Sequence, residues 1–219
     1  MSALILCLVI LQEAPLSAPA TPSAVSDVGH QDLQIASEDW LCSQAFTYES
    51  LENGLGFSQN NGWMMADDFY SMYSWNLFRV EIWAIYSESS PQSILIQIRS
   101  DLSGPGSVID SGTSNSMNHQ DTGYSQWGYP LWYSDISVFP LEFPAGKSWL
   151  ALQTIGTGNN FWLAADQQWA DMSYFSSSNG GSWSSSQSVW GTPYEQFMIL
   201  NRYSPALERN SWGGIKALF

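Results

Sequence analysis

From about Ile35 onward the chain is built of short runs in which apolar and polar residues alternate. LFRVEIWAIY (77–86) places Phe78, Val80, Ile82, Ala84 and Tyr86 on one side and Leu77, Arg79, Glu81, Trp83 and Ile85 on the other. SILIQIRS repeats the pattern, with Ile94, Ile96 and Ile98 set against Leu95, Gln97 and Arg99. A period of two is the signature of a half-buried strand. WYSDISVFPLEF (132–143), KSWLALQTI (147–155), FWLAA (161–165), DMSYFSS (171–177) and EQFMILNRY (195–203) are further strand candidates. Between them lie SGPGS, SSSNGGSWSSS and other stretches of turn chemistry. No segment of eleven or more residues holds a helical period, so the expected fold is all-β, an antiparallel β-sandwich or barrel. Pro140 cannot donate to a central ladder, so the 132–143 strand bends there or runs at an edge. A bulge there puts Ile136 and Val138 on one face and Phe139, Leu141 and Phe143 on the other.

The N-terminal region reads differently. ALILCLVIL (3–11) is too short to span a bilayer and has the length of a signal-peptide core. Small residues follow, with cleavage choices after Ala18, Ala20 or Ala24. Only Met1 and Ser2 precede the run, without the usual positive charges, and a buried N-terminal strand is the alternative. The expected organisation is a signal peptide over 1–24, a Pro/Ala/Ser-rich linker over 25–36, the sandwich over 37–204 and a tail over 205–219. Extracellular or cell-surface location follows from that reading. Cys42 is then the one cysteine of the mature chain, which precludes an internal disulfide framework, and a buried small hydrophobe is its expected role.

Charge narrows the partners. Twenty acidic residues face 6 basic ones, a formal net charge of −14 over 219 residues. Nucleic acid and anionic lipid would be repelled, whereas neutral glycans, cations and other proteins would not. With only 12% charged residues, 12 Trp, 10 Tyr and 10 Phe, the chain has the composition of an extracellular β-protein. No run is long enough for a membrane span, and the oligomeric state is left open.

ADDF (66–69), VEIWAIY, ILIQIRSD and SGPGSVI (103–109) follow one another in an order that resembles a jelly-roll-like β-sandwich module of secreted multidomain bacterial proteins. In that module an ADDF strand precedes a D-x-x-G-x-P-G turn, as in DLSGPG here. KSWLALQT, SNGGSWSSS and EQFMILNRY resemble its later strands and its Gly/Trp loop, so the likeness covers roughly residues 40–203. The resemblance implies a carbohydrate-binding or adhesion sandwich and supplies no catalytic residues. SWGGIKALF is similar to a short ending on some secreted bacterial proteins, which implies a sorting or processing tag. Docking of Trp212, Ile215 and Leu218 on the domain is the other reading.

Three constellations bear on chemistry. Asp67 and Asp68 are adjacent, and neighbours on a strand point to opposite faces. They therefore do not form the facing carboxylate pair of a glycosidase, whose groups lie roughly 5–10 Å apart across one cleft. Calcium, which takes six to eight oxygens, is the candidate cofactor, with Asp67, Asp68, Asp101 and Glu195 as candidate ligands; turn and cap carboxylates are the plainer reading. Arg79, Glu81 and Trp83 share a face, with Gln97 and Arg99 expected on the adjacent strand. A ring beside charged hydrogen-bonding groups suits a sugar, and a surface ladder of salt bridges over a packed tryptophan is the alternative. Trp127, Trp132, Trp169, Trp183 and Trp190 fall in polar loops, where most should cover the ends of the sandwich and one or two left exposed would make a glycan platform.

Catalytic motifs are lacking. His30 and His119 are the only histidines, and His119, in the polar loop SNSMNHQDTG, has no nucleophile elbow beside it. Neither a phosphate-binding glycine loop nor a dinucleotide fingerprint occurs. The expected function is non-catalytic extracellular binding of a glycan or a surface protein. A jelly-roll glycoside hydrolase and a structural subunit of an appendage or coat are the alternatives.

Overall fold

A computed structural model describes residues 40–44, 51–87, 91–165 and 172–201. The strands are β1 (Trp40–Gln44), β2 (Asn53–Gly56), β3 (Met64–Ser71), β4 (Trp75–Tyr86), β5 (Ser93–Asp101), β6 (Pro105–Ser114) and β7 (Met117–Gln126). They continue as β8 (Tyr129–Phe143), β9 (Gly146–Ile155), β10 (Asn160–Ala165), β11 (Tyr174–Ser176), β12 (Ser184–Ser185), β13 (Glu195–Gln196) and β14 (Met198–Asn201). A short α-helix, α1 (Ser186–Trp190), precedes β13, and a 3-10 turn (Gln59–Asn61) precedes β3. The candidate signal segment and the SWGGIKALF tail lie outside the described residues.

Two antiparallel sheets pack together as a β-sandwich. Sheet B runs β12-β11-β3-β9-β5-β6. In sheet A, β7 forms one edge and pairs with β8, which pairs with β4. The other edge of β4 is shared: β14 takes Arg79–Ile82 and β10 takes Ala84–Tyr86. Beyond them lie β1 on β14 and β2 on β10.

The period-two pattern fills the space between the sheets. Ile94, Ile96, Ile98, Leu150, Leu152, Met65 and Phe69 come from sheet B. Val80, Ile82, Ala84, Tyr86, Ile136, Trp162, Met198 and Leu200 meet them from sheet A. Burying each large apolar side chain stabilises the fold by about 1.5–3 kcal/mol.

A bulge between β4 and β8 corrects the simple alternation. Between Leu77 and Arg79 the register against β8 jumps from Leu141 to Ser137. Leu77, expected outside, is therefore buried in the core, while Phe78 is only half-buried. The extra residues on β8 include Pro140, where the expected bulge is found. Phe139 is thrown outward by it and is 81% exposed, whereas Leu141 and Phe143 enter the core. SNSMNHQDTG, read from its polarity as a loop, belongs to edge strands β6 and β7. An edge strand needs no apolar face, so periodicity does not reveal it.

Candidate ligand-binding face

Strand β4 presents Arg79, Glu81, Trp83 and Ile85 on the outer side of sheet A. Register sets Glu81 opposite Asp135 and Trp83 opposite Tyr133, both on β8. Glu81 is 0% exposed and its carboxylate is fully engaged. Its Oε1 accepts from Asn201 Nδ2 at 2.9 Å and lies 3.1 Å from an Arg79 nitrogen, and its Oε2 accepts from the Tyr133 hydroxyl. Arg79 Nε in turn donates to Asp135 Oδ1 at 2.6 Å. Burial pushes the Glu81 carboxyl up from its usual range, opposed by the Tyr133 hydrogen bond and the Arg79 charge. Burial, with the Glu81 hydrogen bond, also pushes the Tyr133 phenol up, so it stays protonated and donating. The network fixes the Tyr133 ring, which packs against Trp83 with centroids 5.3 Å apart.

Further along the same face the chemistry becomes apolar. Ile85, Leu131, Leu163 and Phe197 form a second buried cluster, with Leu51, Trp83 and Phe161 packed against it. Strands β7 and β8 are joined by a two-residue turn, Trp127-Gly128. Its tip folds back across the sheet, so that Trp127 reaches Gly54 of β2, the strand at the opposite edge. A methyl group built on Gly54 would stand 3.6 Å from the Trp127 ring and 3.7 Å from Leu163. An aromatic tip thus stands at one end of the outer side of sheet A. Tyr129 and Tyr133 follow from that tip on the same side of β8. Gln120 and Asn118 share the side on β7, opposite Tyr133 and Asp135, and both are exposed.

Gln97 and Arg99 do not join this face. Strand β5 pairs with β6 and β9 in sheet B, so the two residues lie on the opposite outer side of the sandwich. Consecutive strands of a sandwich often cross between sheets, and alternation alone does not say which sheet a strand enters. Arg99, 8% exposed, donates to Gly106 O at 2.9 Å, to the Gln97 side chain and to Gly180 O at 3.2 Å. Its guanidinium lies 5.2 Å from the centre of the Trp183 ring. That arrangement staples the SGPGS turn and the SNGGSW loop to the sheet, a structural task.

The four acidic candidates separate into two pairs. Asp67 shares the inward side of β3 with Met65 and Phe69, and its Oδ2 accepts from Gln196 N at 2.6 Å, tying sheet B to sheet A. Glu195 is near enough to raise its proton affinity. Asp68 lies on the outer side of sheet B, where Lys147 Nζ stands 3.3 Å from it and 3.9 Å from Asp101. The same ammonium sits 4.8 Å from the centre of the Trp149 ring, whose Nε1 donates to Asp101 at 2.9 Å. Opposite sides of a sheet cannot ligate one ion, and a lysine occupies the cation position of the outer pair. Among the described residues no three of His, Cys, Asp and Glu group so as to hold a metal ion. Millimolar calcium and EDTA should accordingly give superimposable melting curves. A calcium-dependent rise of several degrees would mean that these carboxylates rearrange around the ion.

The remaining candidates have packing roles. His119 lies on β7, not in a loop, with Nδ1 2.8 Å from Ser134 Oγ and its ring edge-on to Tyr86. Trp132 packs on the core, Trp183 on the Met64/Trp149 cluster and Trp190 on Phe175. Trp169 lies outside the described residues. Tyr133, Asp135 and Asn201 were missed as site residues, although alternation through LWYSDIS already sets Tyr133 and Asp135 on one side. Neither a protein-family model nor a curated protein matches this chain. Among the described residues no helix is long and apolar enough to cross a membrane.

Proposed function

We propose that the chain is a non-catalytic extracellular binding module whose ligand, a glycan, lies on the outer face of sheet A. The observation that carries this reading is the contact of the Trp83 and Tyr133 rings beside a saturated polar network that holds the Tyr133 hydroxyl. Rings held rigidly offer stacking surface for sugar C–H faces at little entropic cost, and the exposed amides of Gln120 and Asn118 supply hydrogen bonds at the rim. The ladder of ion pairs expected as the alternative is also present beside the rings, and its Glu81 carboxylate accepts from the Tyr133 hydroxyl. The N-terminal apolar run and the acidic, tryptophan-rich composition support an exported protein.

A hydrolase reading rests on Glu81 facing Asp135 across adjacent strands. Opposed residues are spaced like the two carboxylates of a retaining glycosidase. Both, however, are tied to Arg79, and Glu81 is sealed beneath Tyr133, so its proton does not reach a glycosidic oxygen. The binding reading is therefore preferred.

Affinity electrophoresis in gels containing soluble polysaccharides tests it. Wild-type protein should be retarded by at least one neutral polymer, and Trp83→Ala should lose roughly tenfold in affinity, as the loss of one stacking contact of about 1 kcal/mol or slightly more implies. Retardation unchanged by Trp83→Ala would remove this face as the site. Wild-type protein that hydrolyses the polymer would favour the enzyme.

A further inference from the structure

We infer that Trp127 is the second wall of this face, and that the ligand is an uncharged polysaccharide segment held between it and the strip of rings along β8. The inference rests on the binding reading above and adds the residue that closes the site and the class of sugar. Four observations converge on it.

The first is conformational. Trp127 and Gly128 have φ of 51° and 84°, and Gln126 pairs with Tyr129 across them. Positive φ at both central residues makes this a type I′ turn, for which Asn-Gly is the favoured pair. A bulky aromatic in the left-handed region is an outlier, and such strain gathers at ligand clamps. An ordinary hairpin tip gains nothing from tryptophan there.

The second is exposure. Although the ring reaches Gly54, Trp127 remains 53% exposed and Tyr129 45% exposed. The ring rests on a backbone without a side chain instead of filling the buried cluster. The third is reach: Tyr129 and Tyr133 are four residues apart on one side of β8, about 13 Å by strand rise, which spans more than one sugar ring. The fourth is charge. Arg79 pairs with Glu81 and Asp135 on this face, and the chain carries −14 overall. Among the described residues a sulfated or carboxylated polymer meets no unpaired cation there, and the net charge repels it at longer range.

Trp127→Asn separates a binding role from a structural one, because it removes the ring while creating the preferred Asn-Gly turn. Titration calorimetry with cello-, xylo-, manno- and chito-oligosaccharides, and with heparin as the charged counterpart, provides the readout beside thermal melting. We expect wild type to bind at least one neutral oligosaccharide and to ignore heparin. Trp127→Asn and Trp127→Ala should each bind it at least tenfold more weakly, Trp127→Tyr should recover part of the loss, and Trp127→Asn should melt at or above the wild-type temperature. If Trp127→Asn binds like wild type, or melts several degrees lower, Trp127 is a structural cover and the inference falls while the binding reading stands. Tighter binding of heparin overturns the uncharged class. If wild type binds none of the probes, the binding reading falls and this inference with it.

Discussion

Glu81→Ala should cost the fold about 3 kcal/mol, the lower part of the range for removing one partner from a buried ionic network. Three donors converge on that carboxylate: the Asn201 amide, the Tyr133 hydroxyl and the Arg79 guanidinium. Arg79 keeps Asp135 and is partly solvated, so its loss is modest. Asn201 and Tyr133 have no such reserve, and an unsatisfied buried donor costs about 1–3 kcal/mol. Alanine also leaves a void among packed strands. Glu81→Gln keeps one acceptor oxygen and the volume, and should recover more than half of the loss. Urea unfolding of the two variants measures both quantities. An alanine variant within about 0.5 kcal/mol of wild type, the scatter of ordinary surface substitutions, would show that the network is dispensable. Should the fold survive, the sugar affinity proposed for this face should still fall, because Tyr133 would no longer be held against Trp83.

The sandwich was legible because burial between two sheets imposes a period of two, and Ile94, Ile96 and Ile98 or Val80, Ile82 and Ala84 obey it. Where that constraint lapses, so does the signal. At Leu77 and Phe78 a bulge shifted the phase by one residue, and nothing in LFRV marks it. Strand β7 lies at an edge with both faces largely wet, so MNHQDTGYSQ carries no apolar alternation. The candidate site was half legible for the same reason. Alternation placed Arg79, Glu81 and Trp83 together, since that relation is local. It could not place Gln97 and Arg99 in the other sheet, nor bring Trp127 to Gly54, because both depend on how distant strands are ordered in space. Opposite faces for Asp67 and Asp68 needed only the strand itself, and the structure shows them so.

That separation gives the last expected result: the protein should grow more stable as the pH falls from neutral toward the ordinary carboxylate range. Burial, then repulsion from Asp68, holds the Asp67 carboxyl well above its ordinary value of 3.8, only partly offset by the Gln196 N–H. Glu81 is displaced in the same direction, again chiefly by burial. A carboxyl that holds its proton more tightly when folded than when unfolded makes stability decline as pH rises. Its contribution is fully present below the unfolded value and is lost as the pH climbs through the raised folded one. The formal charge of −14 acts in the same sense, because acidification relieves repulsion in the compact state. Asp67→Asn isolates the local part. The neutral acid keeps an acceptor lone pair on each oxygen, for Asp68 N at 3.0 Å and Gln196 N at 2.6 Å. The amide nitrogen has none, so at low pH the variant should be less stable by about 1–3 kcal/mol. As the pH rises, the wild type loses the advantage of its bound proton while the amide does not titrate, and the gap should close. Urea midpoints of both proteins from pH 4 to 8 provide the measurement. Parallel pH profiles would mean that Asp67 does not change its protonation in that window and that the acid preference comes from net charge and Glu81.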